Sequence, residues 1–529
     1  MTFIFRYNIF VFKVYGGDYM AKKIHYCLGL ISSLFILTSC GNANISYEDV
    51  NKTQYRIPTP TQSTVDEYGP NNVYKKANSF KYTIKDVNDK NNWMSLKSTG
   101  NQNILVVPVQ LRDGPVWTQQ MLENLYTVFF SESGEGTNWE SVHSFFYKSS
   151  YQQLNLMGSV YCNPLKVKSY SMYTFAKSYQ DGLVNPTYEI ANEFYNSMDN
   201  EFLQEYDQDK DGYIDSVVFC YSHKYNQDAY WAWVDNNTNF ESNLNKPNIN
   251  THMWVSYEFM NDTKNSSYPK GLDAHTYIHE TGHLLGLDDY YNYDYNWDAA
   301  GELDMQSYNV GDHNIYSKLA LGWIKPYIIN DSCTITIRTS SKYPDAIIFK
   351  NESNNVKGLF DEYLILEYYT PTGLNEQDAN YQYVGRNKMY SDSGIRLYHV
   401  DARLVKNPSK YITPNGIVKN TNDGYTKDLT DNVAIGASNS PFTWSNLTSE
   451  YAYIYYYLHL IDEGKNNVFY SGYLKDSSVL WHEGSSFEKN SLAGLFANYS
   501  AFNDNTSIGF KFKVDALDGD NATITFTKY

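Results

Sequence analysis

The chain has 529 residues, a net charge of −17 and only 42 basic residues, spread thinly along its length. Phosphate backbones are held by clustered cations, so the charge argues against a nucleic-acid partner. The length leaves room for two or three domains with sizeable cores.

The amino-terminal segment reads as an export signal. Met20-Ala21-Lys22-Lys23 supplies a short basic region, and Cys27 to Leu37 is mostly apolar but short of the ~20 residues that span a membrane. Leu37-Thr38-Ser39-Cys40-Gly41 then resembles the lipobox of bacterial lipoproteins. That resemblance implies a signal peptide over 1–39, a lipid on Cys40, and a protein held on the outer face of the cell membrane. Residues 1–19 fit no export logic, and Gly16-Gly17-Asp18 reads as a translated ribosome-binding sequence, so Met20 is the expected true start. The alternative is an ordinary secretory signal and a secreted protein. Cys162, Cys220 and Cys333 remain, an odd set without a C-x-x-C pair, which argues against a disulfide framework or a cysteine zinc site.

From 40 to 100 the chain is polar, with Pro58, Pro60 and many Asn and Lys, and reads as a tether and irregular lead-in. Asn103 to Leu111 reads as a strand in which Pro108 suggests an edge or bulge. Trp117, Met121, Leu125, Val128 and Phe129 recur at helical spacing. Ser141 to Tyr151 predicts a short helix, Gln153 to Tyr161 a strand, Thr187 to Leu203 a helix and Ser216 to Tyr221 a buried strand. Such mixing indicates an α/β or α+β catalytic domain over 101–326, with α+β the expected class. Beyond Trp323, short strands are predicted at 333–338, 345–350, 363–369, 395–400, 454–460, 508–514 and 522–527. They suggest a β-rich, sandwich-like region over 327–529.

Two stretches carry candidate chemistry. Asp207, Asp209 and Asp211 stand at positions 1, 3 and 5 of an acidic loop, with Gly212 next and Asp215 at position 9. Alternating carboxylates followed by glycine can wrap oxygen ligands around Ca²⁺. Position 12 is Val218 rather than Glu, so the loop is not a full EF-hand.

The second stretch is His279-Glu280-Thr281-Gly282-His283, followed by Gly286 and Asp289. Histidines four apart share one helix face, so both imidazoles can reach one ion. Glu280 is placed to take a proton from a water at the metal. Gly286 permits a positive φ that turns the chain back and brings Asp289 in as a third ligand. Three protein ligands with an open position are the arrangement of catalytic zinc. His275 shares the face but lies about 12 Å from His283 along the axis, too far to ligate the same ion.

With these motifs the chain resembles the immune-inhibitor-A-like family of secreted bacterial zinc metallopeptidases, enzymes of the metzincin type. Ile104 to Asp113, Ser141 to Tyr151 with Leu154 to Leu156, the acidic loop, and Ser393 to Asp401 carry the likeness beyond the zinc helix. The resemblance implies that His279, His283 and Asp289 hold Zn²⁺ and that Glu280 is the general base of a peptidase acting on extracellular proteins as a monomer. Metzincins place a Met beneath the zinc and a Tyr two residues later. Here Asp304-Met305-Gln306-Ser307-Tyr308 puts Gln306 in the Met position, so either Met305 or Gln306 is expected under the site, with Tyr308 as the oxyanion donor. His313 and His399 are further candidates for the cleft, though each reads better as a satisfied structural histidine. A competing reading is a catalytically inactive surface lipoprotein, an adhesin or glycan binder on the same scaffold; an intact Glu280 favours the enzyme.

Overall fold

The structure, a computed structural model, describes residues 44–46 and, with breaks, 68–529; the longer breaks are 168–185, 292–299, 407–424, 437–456, 465–476 and 490–500. Met20, Cys40 and the expected signal segment lie outside the described residues, as does the start of the strand expected at 454–460. No helix among the described residues is long and apolar enough to cross a membrane.

In chain order the amino-terminal part forms β1 (Asn44–Ser46), β2 (Tyr74–Lys76), α1 (Ile84–Lys90), β3 (Gly100–Gln110), α2 (Gln119–Phe130), α3 (Val142–Ser149), β4 (Leu154–Tyr161) and β5 (Leu165–Lys166). It continues through α4 (Pro186–Ser197), α5 (Asn200–Gln204), β6 (Val217–Tyr221), β7 (Trp233–Asn236), β8 (Thr251–Ser256), α6 (His275–Leu284) and α7 (Ile315–Ala320). The remainder supplies β9 (Tyr327–Ile329), β10 (Cys333–Arg338), β11 (Ile347–Phe349), β12 (Glu362–Tyr369), α8 (Glu376–Asn380) and β13 (Gly394–Asp401). Last come β14 (Leu404–Lys406), β15 (Tyr425–Thr426), β16 (Val433–Ile435), β17 (Leu458–Leu460), β18 (Ser486–Phe487), β19 (Phe510–Asp518) and β20 (Asn521–Lys528).

The first sheet runs β1-β4-β3-β6-β8-β7, with β5 also on β3. β4, β3, β6 and β8 are mutually parallel, and the edges β1 and β7 are antiparallel. Strands covered on both faces read as unbroken apolar runs, which is why Val217–Tyr221 is buried at every position. Along β3, Ile104 and Val106 face a core shared with α2, α3 and α6, while Leu105, Val107 and Val109 face α4 and α5. The result is a mixed α/β architecture compatible with the expected α+β class.

Two local expectations change. Pro108 sits in a central strand, not at an edge. Leu105 N–H bonds Ser216 O on the β6 side, so the alternate residue 108 directs its nitrogen toward β4 and β5. Pairing with β4 ends at Val106 and pairing with β5 begins at Val109, so no ladder bond is lost there. The helix expected over 187–203 is two, because Asp199 adopts extended backbone and restarts α5 as its N-cap residue.

The lead-in is also more than a tether. Lys75 of β2 pairs antiparallel with Ile328 of β9, and Ile84 and Val87 of α1 are buried in the main core. Thr83 and Asp86 form a capping box that starts this short helix.

The carboxy-terminal strands form a six-stranded sheet, β17-β13-β12-β11-β9-β2, and a four-stranded sheet, β10-β20-β19-β18. Leu364, Leu366, Ile395 and Leu397 of the first meet Phe510, Phe512, Ile524 and Phe526 of the second, as in a sandwich. The opposite face of the six-stranded sheet, with Tyr363, Ile365 and Tyr398, joins the core that holds Ile315 and Tyr316 of α7. The sandwich and the parallel-sheet layer therefore share one continuous core.

Candidate metal centre and its surroundings

Helix α6 carries His279 and His283 on one face, and its end returns the chain as a Schellman motif. Leu287 N–H bonds Gly282 O at 3.0 Å and Gly286 N–H bonds His283 O at 2.9 Å, with Gly286 at φ +98°. The lead-in clamps this turn. Asn88 Nδ2 donates to Gly286 O, Leu96 N–H donates to Leu284 O, and a Cβ at Gly286 would lie 2.2 Å from Asn88 Nδ2.

The return brings Asp289 against both imidazoles. Asp289 Oδ1 lies 3.1 Å from His279 Nε2 and 3.2 Å from His283 Nε2, and the two Nε2 atoms are 3.2 Å apart. Tetrahedral zinc with bonds of about 2.0–2.1 Å sets its donors roughly 3.3 Å apart. The Nδ1 atoms of His279 and His283 each face a backbone carbonyl at 2.7 Å, Met305 O and Leu287 O respectively. Nδ1 therefore carries the proton in both rings, and two Nε2 lone pairs and a carboxylate oxygen converge on one point. Three acceptors so placed fit a cation between them.

The electrostatics show a site that draws positive charge. Burial opposes charge on Asp289, yet His283 and His279 hold its carboxyl well below the usual range. Burial likewise lowers His283, but Asp289 outweighs it and pushes the imidazole up to about 10, so a metal ion binding Nε2 would replace a proton there. Glu280, on the same helix, is 5% exposed, and its Oε2 has no hydrogen-bond partner among the described residues. Burial raises its carboxyl, against the pull of His283 and His279.

Both candidates for the position beneath the site contribute, in different ways. Met305 is wholly buried and offers its carbonyl to His279. Gln306 lies flat on α6: Nε2 donates to His279 O at 3.2 Å, and Oε1 accepts from His313 Nε2 at 3.3 Å. This close approach needs Gly282, where a Cβ would stand 2.2 Å from Gln306 Oε1. The network continues inward. His313 Nδ1 lies 3.2 Å from Ser149 Oγ, which donates to Asp312 Oδ1, and Asp312 pairs with Lys318. Lys318 Nζ also reaches Ser340 O in the carboxy-terminal region. His313 thus supports the site from below rather than lining a cleft.

His399 is placed elsewhere, inside one end of the sandwich and bonded to Glu362 at 2.9 Å. His275 is capped by the ring of Tyr383 at 4.8 Å and is not brought to the metal-ligating group. Tyr308 stacks on Tyr291 at 4.7 Å, and Tyr291, absent from the sequence reading, hydrogen-bonds Asp289.

The acidic loop joins α5 to β6. Asp207, Asp209 and Asp211 bring carboxylate oxygens within 4.8 Å of one another. Asp207 accepts from the Asp211 and Gly212 N–H groups, which folds the loop inward, with Gly212 at φ +87°. Asp215 is not part of this group; its Oδ2 accepts from Gln208 N–H at 2.8 Å and staples the loop's two ends. Burial, with the neighbouring Asp209 and Asp207, pushes Asp211 up to about 6. Val218 at position 12 is a core residue of β6 and supplies no ligand.

Among the described residues Cys162, Cys220 and Cys333 form no disulfide. Among known proteins, no family model and no curated protein matches this chain.

Proposed function

We propose that the protein is a zinc-dependent endopeptidase of the metzincin type, related to the immune-inhibitor-A-like enzymes and acting on extracellular proteins. The observation that carries this reading is the convergence of His279 Nε2, His283 Nε2 and Asp289 Oδ1 beside a buried, unpartnered Glu280 oxygen. A pure binding protein has no use for that base.

His279, His283 and Asp289 would hold the ion. Zinc bound there supplies a Lewis acid for the peptide carbonyl and acidifies a neighbouring water. Glu280 removes the proton from the attacking water and delivers it to the leaving amide nitrogen, so no net proton is consumed at the carboxylate. Tyr308, held against Tyr291, donates to the oxygen that becomes negative. Asp207, Asp209 and Asp211, hard oxygen donors on a tight loop, would hold a structural Ca²⁺. The lipid expected on Cys40 places the enzyme on the outer membrane face.

Casein hydrolysis by the purified protein, stopped by a zinc chelator and restored by zinc, tests this reading. Glu280→Gln is expected to keep zinc content and melting temperature while kcat falls roughly 10²–10⁴-fold. Wild-type cleavage by that variant would sink the assignment. Cys40→Ser should move the activity from the membrane fraction to the medium; activity that stays with the membranes would refute the anchor.

A further inference from the structure

Between β12 and β13 the chain leaves the sandwich and docks beside the start of α6. Asn375 Oδ1 accepts from Asp312 N–H at 3.0 Å, and Gln377 Nε2 donates to Asn138 O at 2.7 Å. Tyr383 donates to the buried Asp273 at 2.9 Å and meets the rings of His275 and Tyr268 edge-on. These anchors fix the 381–386 turn one helical turn ahead of His279.

The turn presents an unusual surface. Tyr381 is 48% and Val384 45% exposed, and Gly385, at φ +69°, directs Arg386 back toward the site. The Arg386 guanidinium lies 4.4 Å above the Tyr308 ring, whose other neighbour is Tyr291, itself bonded to Asp289. A column of cation, phenol, phenol and carboxylate thus runs from this turn to the metal-ligating group. Among the described residues no carboxylate or carbonyl accepts from the Arg386 guanidinium, so its planar fork of donors is unspent. The aromatic face holds the cation without neutralising it.

We propose that Arg386 forms a subsite for a substrate carboxylate. The peptidase would prefer Asp or Glu at a position near the scissile bond, with Tyr381 and Val384 covering the adjoining side chain. In a protein of net charge −17 such a local cation offsets the repulsion that an acidic substrate meets. This inference rests on the peptidase reading.

The test uses zinc-loaded full-length protein and fluorogenic peptides that differ only in Glu, Gln or Lys at each of three positions on either side of the bond. Wild type should favour Glu over Gln by roughly tenfold in kcat/KM at one position, the order expected of one charge-assisted pair at a half-open site. Arg386→Gln should erase that preference, so that the Glu and Gln peptides are cut equally well, Arg386→Glu should transfer it to Lys, and Arg386→Lys should keep part of it. Zinc content and melting temperature of each variant check the fold. An equal loss on all peptides in Arg386→Gln and Arg386→Lys, or no charge preference in wild type, would overturn the proposal. Failure of wild type to cut even the neutral peptides would overturn the peptidase reading itself, and this inference with it.

Discussion

Gln306 shows how one side chain can replace a familiar support by different chemistry. A thioether beneath a metal offers bulk; an amide offers a donor and an acceptor, and both are used here, on His279 O and His313 Nε2. Gly282 makes room for it. In Gly282→Ala the flexible amide would have to withdraw, so the cost is two buried hydrogen bonds more than a clash. We expect about 1–3 kcal/mol lower stability and weaker zinc retention, read by thermal melting and by competition with a chromogenic chelator. Adding Gln306→Ala should cost little more, since both changes remove the same contacts; fully additive losses would contradict the coupling. The spacing that brings His279 and His283 together was legible because helix periodicity encodes it locally, and Gln306 was legible as one of two candidates beneath the site. Its two amide contacts, Gly282 and Tyr291 were not, since their roles exist only where distant segments meet, and Tyr291 is one of 52 tyrosines.

At the scale of elements, helix and strand positions followed the sequence closely wherever the apolar pattern was long. Cys333–Arg338 matches its expected span, β4 and β12 depart from theirs by a residue at one end, and β20 by a residue at each end. Misreadings fall where a tertiary partner supplies what local sequence lacks. The α1 segment is polar and short, but a capping box and burial against the metal-centre turn order it. The acidic loop joins α5 to β6, and its carboxylates crowd at the junction. Calcium should therefore raise the melting temperature; linkage gives about 2.7 kcal/mol at a hundredfold excess over Kd. Asp209→Ala or Asp211→Ala should abolish that rise at constant zinc content. Identical melting of wild type in calcium and in a calcium-selective chelator would show the loop to be only a solvated acidic turn.

Across the whole molecule, the segment from 373 to 390 joins the sandwich to the layer that carries the candidate metal centre, and Asp378 lies wholly buried within it. Burial pushes its carboxyl up to about 8, against an ordinary value near 3.8. Because the folded pKa is the higher one, the group costs nothing while protonated in both states and destabilises progressively as pH rises from about 4 through 8. Asp378→Asn should thus melt like wild type near pH 4 and several degrees higher at pH 9; a difference independent of pH would disprove a buried titrating acid. The pairing of Cys333 with Phe526 and of Tyr74 with Ile329 has a kinetic consequence. Contacts so remote in sequence close large loops before they are rewarded, which makes assembly slow and cooperative. A ten-residue helix such as α6 is too short to hold its shape alone, and Ser340, Asn375 and Glu367, which brace the layer beneath it through Lys318, Asp312 and Ile315, all follow it in the chain. In a chain delivered amino-terminus first, the histidines are thus present before the frame that aims them.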